Sequence, residues 1–157
     1  MASKALQLYR RLKSWPAGRW LFTRLICWKA PYFGSIAPRI AHLEPGLCVG
    51  YLRHRRKVRN HIGTVHAIAM CNLAELVMGV MVDASTPAGM RWIPKAMQVR
   101  YLKKANGTIT ATARLREPLA VSGDGYEVDV PVELHDDHSQ LVCEITVTCW
   151  ISPRPAR

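Results

Sequence analysis

"NHIGTVHAIAMCNLAEL", residues 60–76, reads as the opening of a helix made for a protein interior. The apolar run continues through Met81 and Val82, so the helix is expected over 64–82, closed by Pro87 and Gly89 beyond it. Yet His66, Asn72 and Glu75 stand among its Val, Ile, Met, Cys, Leu and Ala. An ionised carboxylate is too costly to bury alone, so Glu75 must be paired, be neutralised, or border a wet cleft. No Lys or Arg occurs between Arg59 and Arg91, so no helix neighbour offers a partner. Asn72, one turn earlier, is expected on the same face. A carboxylate beside a cleft suits a general base or nucleophile. A Glu paired to a strand Arg, or one facing solvent at a subunit edge, is the structural alternative.

The start of this helix carries its own chemistry. Gly63 allows a tight turn, and Thr64 is expected as the N-cap. The first turn of a helix has unpaired N–H groups and a positive dipole end, which can hold a developing oxyanion. A carboxylate two turns further in supplies the other half of acyl-transfer chemistry.

Outward from the helix, alternation marks strands. Before it, "LCVGYLRHR" (47–55) reads as one, preceded by extended pieces cut by Pro31, Pro38 and Pro45. After it come four more. Met97, Val99 and Tyr101 alternate with Gln98 and Arg100; past an Asn106-Gly107 turn, Ile109, Ala111, Ala113 and Leu115 alternate with polar residues. Tyr126 to Leu134 follows, with Pro131 implying an edge, bulge or break, and then Cys143, Ile145, Val147 and Cys149 face inward. A half-polar antiparallel sheet must cover its apolar face, and only the helix over 64–82 is apolar and long enough to do so. The expectation is an α+β fold, with the sheet curled around one buried helix.

Residues 1–30 form a separate unit of composition, ahead of a single domain over 31–157. Leu8, Leu12 and Trp15 fall on one helical stripe, and Leu21, Leu25 and Trp28 repeat it. The first acid in the chain is Glu44. Three readings stay open for this basic start: a helix packed on the domain, an interfacial membrane helix over 1–29, or a transit peptide. The whole chain carries 22 Lys and Arg against 11 Asp and Glu, a balance that favours anionic partners. "RHRRKVRN" invites phosphate, but no nucleic-acid-binding signature accompanies it, so a nucleic-acid partner is not expected. Five cysteines without a CxxC pair imply reduced thiols, no metal site and a cytoplasmic setting, with membrane-peripheral attachment the open variant. No run of roughly 18 consecutive apolar residues implies a bilayer span.

Asn60, Gly63, Thr64 and His66, then Leu73-Ala74-Glu75 nine residues beyond the His, resemble the signature of hotdog-fold acyl-CoA thioesterases, closest to the PaaI-like branch. The likeness covers roughly residues 45–152. It implies an antiparallel sheet wrapped around a long central helix, with the N-terminal helical segment as an addition. It also implies a thioester hydrolase. Glu75 activates water or attacks the carbonyl, the N–H of Ala67 polarises it, Asn60 positions carbonyl or water, and His66 orders the loop. The site then forms between two protomers of a homodimer or homotetramer. The substrate is an acyl-CoA or acyl-carrier thioester, coenzyme A being part of substrate rather than a cofactor. Arg91, Lys103 and Lys104 are its candidate phosphate partners. The family's Gly-Gly after the His is here Ala67-Ile68, which keeps the N–H but adds bulk. That substitution favours a small or linear acyl group, or a domain that binds acyl-CoA or lipid without turnover. A hotdog dehydratase using His66 with Glu75 ranks last.

Overall fold

The computed structural model describes residues 3–155; residues 1 and 2 of the expected N-terminal segment, and 156 and 157 of the expected domain, lie outside the described residues. Two helices come first, α1 (Lys4–Leu12) and α2 (Gly18–Lys29), then a short 3-10 turn. Strands β1 (Arg39–Glu44) and β2 (Leu47–Leu52) lead to the long helix α3 (Ala67–Ser85). Strands β3 (Met90–Tyr101), β4 (Ile109–Arg114), β5 (Tyr126–His135) and β6 (Leu141–Pro153) complete the chain.

All six strands form one antiparallel sheet in the order β1-β2-β4-β5-β6-β3. The sheet curls around α3, of whose 19 residues 12 are buried. This is the α+β arrangement expected from the periodicity, and it matches the hotdog architecture that the resemblance implies. By length and composition α3 could cross a bilayer, so the chain does hold one run apolar enough, but its apolar side chains are the core of the sheet. Small residues let the helix sit low on the strands. A Cβ at Gly50 of β2 would lie 2.8 Å from a Val77 methyl and 3.0 Å from the Arg39 carbonyl oxygen.

Helix α3 begins later than the pattern implied. His66, with extended backbone, is the cap: its Nδ1 accepts from the Ile68 N–H at 3.1 Å. Thr64 is instead held in the preceding loop by Asn60, so the helix runs over 67–85 rather than 64–82. At the other end the Ser85 and Thr86 hydroxyls donate to the Met81 and Val82 carbonyls, each at 2.7 Å. Such back-bonding and Pro87 end the helix.

One strand expectation is corrected, and that for Pro131 is met. Asn106-Gly107 does not close a hairpin, because β3 and β4 lie at different places in the sheet, with β5 and β6 between them. Pro131 lies within β5, an interior strand. The β4 pairing ends at Val132, however, so Pro131 is matched only to Thr146 of β6 and sits at a local edge.

The N-terminal helices pack on the same core. Leu6, Tyr9 and Leu12 of α1 and Phe22 of α2 join the buried cluster, with Tyr9 edge-on to Phe22 at 5.2 Å. The Thr23 hydroxyl accepts from the Ile40 N–H at 2.9 Å, tying α2 to β1. The stripe read on α2 from sequence is not the face that packs on the domain. Phe22, Thr23 and Cys27 face in, whereas Leu21, Leu25 and Trp28 face solvent; Trp15, expected on the α1 stripe, is exposed too.

Candidate functional site

Along α3 one stripe escapes the sheet: Ile68 is exposed, and Cys71, Glu75, Gly79 and Asp83 are half-buried. Glu75 opens into a groove of about 580 Å³ between α3, the N-terminal helices and β3. Leu76, Val80 and Trp92 give this groove apolar walls, as do Ile26 and Phe33 from the N-terminal side. A Cβ at Gly79 would stand 3.0 Å from the Trp92 ring, so the missing side chain lets the indole lie against α3. Lys4, Lys29 and Arg154 also border the groove, as does the acid Asp83. Among the described residues neither Glu75 nor Asp83 forms an ion pair or hydrogen bond. Glu75 therefore takes the third of the options open to a helix carboxylate, a position on an accessible cleft.

The start of α3 opens elsewhere. His66, Ile68, Ala69 and Asn72 line a smaller cleft of about 260 Å³ with Lys57 and Arg59. Asn60 shapes the loop that leads in. Its Oδ1 accepts from the N–H groups of Ile62 and Thr64, both at 3.1 Å, and its Nδ2 donates to the Thr64 hydroxyl at 2.8 Å. Gly63 turns the loop with φ +86°. His54 clamps it. Its Nδ1 accepts from the Gly107 N–H at 3.3 Å, which leaves Nε2 to donate to the Gly63 carbonyl at 2.9 Å. The N–H groups of Val65 and His66 are engaged by the carbonyls of Ala105 and Val58. The N–H of Ala67 has no acceptor among the described residues.

The two halves of the expected site are thus apart. Eight residues of helix separate Ala67 from Glu75, a rise of about 12 Å. One chain cannot bring both to one carbonyl carbon. Asn72, one turn before Glu75, turns to a different cleft. It is 5% exposed, donates to the Ser35 hydroxyl at 3.3 Å, leaves its Oδ1 unpartnered, and faces the cleft at the helix start. His66 spends its Nδ1 on the cap, so when neutral it carries its proton on the outward Nε2.

The three cations proposed from sequence do not border the Glu75 groove. Arg91 lies near one end of β3, its guanidinium on the Ser152 hydroxyl at 3.3 Å, and Lys103 lies past the other end, bonded to Gln140 at 3.3 Å. About 34 Å of strand separates Arg91 from Tyr101. Lys103 and exposed Lys104 belong to the helix-start end, beside Ala105. Lys4, Lys29 and Arg154 reach the groove through nonlocal packing that leaves no local sequence signal. Near the middle of the exposed stripe, Cys71 Sγ and Tyr101 OH lie 3.2 Å apart, and burial with this contact raises the Tyr101 pKa.

The DUF4442 family, a domain of unknown function, matches residues 18–151. No curated protein matches. Among solved structures, the structural-genomics protein APC5556 is 40% identical with a TM-score of 0.81, over 96% of this chain and 98% of its own. The Pseudomonas aeruginosa protein PA5026, described as a probable thioesterase, is 24% identical with a TM-score of 0.73, over 83% and 92%. The Haemophilus influenzae thioesterase HI1161 is 12% identical with a TM-score of 0.67, over 78% and 82%. The fold is shared with hotdog thioesterases.

Proposed function

This chain belongs to the DUF4442 family, and from that starting point we propose that it hydrolyses an acyl thioester, acyl-CoA or acyl-carrier, in a site completed by two protomers. The observation that carries the reading is Glu75, unpaired on a largely apolar groove of acyl-chain dimensions. The thioesterases among its structural neighbours support the reaction class. The PaaI-like pattern around Asn60, His66 and Glu75 supports the roles.

Separation of Ala67 from Glu75 requires the second copy. Two α3 helices packed antiparallel about a two-fold axis near Cys71 would set Glu75 of one beside the partner subunit's Ala67, because residue 71 is their midpoint. The outer edge of β3, unpaired among the described residues, offers the backbone for such a contact. Glu75 then takes a proton from water as its oxygen bonds to the thioester carbon. The partner subunit's Ala67 N–H holds the charge that develops on the carbonyl oxygen. Collapse of the tetrahedral species breaks the C–S bond. The thiolate leaves and takes up a proton, giving acid and thiol. Asn60 and His66 serve as positioning residues through the loop and cap they build. Lys57, Arg59, Lys103 and Lys104 at the helix-start end suit the phosphates of coenzyme A. Five free thiols fit a reducing, cytoplasmic compartment.

A second reading, binding without turnover, is favoured by Ile68, a residue 56% exposed at the helix-start cleft where a thioester would approach. Turnover of a panel of acyl-CoAs by wild type and Glu75→Gln separates the two. Hydrolysis lost in the variant supports the enzyme; equal inertness of both, with acyl-CoA still bound, supports the binding domain.

A further inference from the structure

We propose that the outer face of α2 docks this protein on an anionic membrane surface. At about 100° per residue, Leu21, Leu25 and Trp28 fall within an arc of about 60°, with Arg24 on one side and Lys29 on the other. The inward face, Phe22, Thr23 and Cys27, is already buried against the domain, so the outer stripe is not core. Trp28 is 84% exposed, and Trp15 (64%) and Tyr32 (66%) extend the apolar surface just before and after the helix. An apolar stripe with aromatic residues, bordered by cations, is the layout of a helix that lies in a lipid interface.

Charge selects the occupant. Residues 1–43 contain eight Lys or Arg and no Asp or Glu. A second copy seated face to face would bring Arg24 and Lys29 against themselves, with no acid on that face to offset them. An anionic leaflet complements the same surface, each basic residue near it adding affinity. The docking stands apart from the hydrolysis reading, yet α2 joins the two regions. Ile26 and Lys29 of the same helix wall the Glu75 groove, so a docked α2 holds the groove beside the bilayer, where long acyl chains partition.

Co-sedimentation of the full chain with phosphatidylcholine vesicles, with and without about one-third phosphatidylglycerol, tests this. Expected are binding to the anionic vesicles only, weakening with salt, a roughly tenfold loss in Leu25→Ser/Trp28→Ala, and about a fivefold loss in Arg24→Glu. These exposed substitutions should leave the melting temperature unchanged. Glu75→Gln should bind vesicles like wild type, so a failed hydrolysis reading leaves this result intact. Absence of binding to anionic vesicles, or equal binding by the double variant, overturns the proposal. A double variant that instead changes the oligomeric mass, with no vesicle binding by wild type, makes the face a subunit contact and overturns it too.

Discussion

Glu75 and the unpartnered N–H of Ala67 ride on one helix, about 12 Å apart along its axis, and only Glu75 borders the groove beside the N-terminal helices. A carboxylate held for structure would have a partner; Glu75 has none among the described residues. Its removal should therefore cost activity and not fold. For Glu75→Gln, thioester turnover is expected to fall by about 10²-fold or more, with the melting temperature unchanged or slightly raised. Steady-state hydrolysis and thermal melts check both; retained turnover would exclude Glu75 from the chemistry.

Ala67 admits a sharper substitution. Proline at the first helical position is well tolerated, and His66 before it already has extended backbone (φ −63°, ψ 136°). Ala67→Pro deletes one N–H and little else. Turnover is expected to fall by about 10²–10³-fold, with circular dichroism and stability retained.

Those two inactive variants also test where the site is built. In a mixed dimer, Glu75 from one chain meets an intact helix start from the other at one of the two sites. Refolded together in equal amounts, the pair is expected to recover about one quarter of wild-type activity. A site within one chain gives no recovery. A two-fold axis near Cys71 further predicts that mild oxidation or a short bis-maleimide links two chains through Cys71, and that Cys71→Ser abolishes the linked species.

The long buried helix, the six strands and their inward residues were legible because each follows a 3.6- or 2-residue period that burial imposes. Ile109, Ala111 and Ala113, and Cys143 through Cys149, point where alternation put them. Misread features are ones in which local pattern and tertiary packing diverge. Leu21, Leu25 and Trp28 make as good a stripe as Phe22, Thr23 and Cys27, and no rule of periodicity says which face meets β1. Thr64 is a better cap by type than His66, but Asn60 engages it first. Glu75 and the helix start could be read from local spacing; the cations on its groove, brought from both chain ends and from α2, could not.

Gly50 tests the close approach of helix and sheet. An added Cβ meets Val77, the Arg39 carbonyl and Ile40, two of them at 3.0 Å or less. The backbone contact cannot yield as a flexible side chain does. Gly50→Ala is expected to destabilise the fold by about 1–3 kcal/mol in denaturant titrations, despite alanine's better strand propensity. Gly46, with nothing within 4 Å of its virtual Cβ, provides the contrast: its strain comes only from φ +82° in the β1–β2 turn.

The buried thiols give the pH dependence a sign. Burial pushes Cys149 up to about 11 and Cys143 up to about 12, and raises Cys48 further, all from an ordinary 9.0. An unfolded chain releases these protons near the ordinary value, while the folded chain retains them. Below that value both states hold the same protons and the thiols contribute no slope. As pH rises past it, the unfolded state alone gains charge, so stability falls progressively from about pH 9 upward toward the folded values. The melting temperature is expected to be insensitive to these groups up to about pH 8 and to decline beyond. Cys149→Ala should flatten part of that alkaline decline while lowering stability at pH 7 through lost packing against Met78, whose sulfur lies 3.4 Å from the thiol. An unchanged alkaline slope in that variant would assign the decline to other groups.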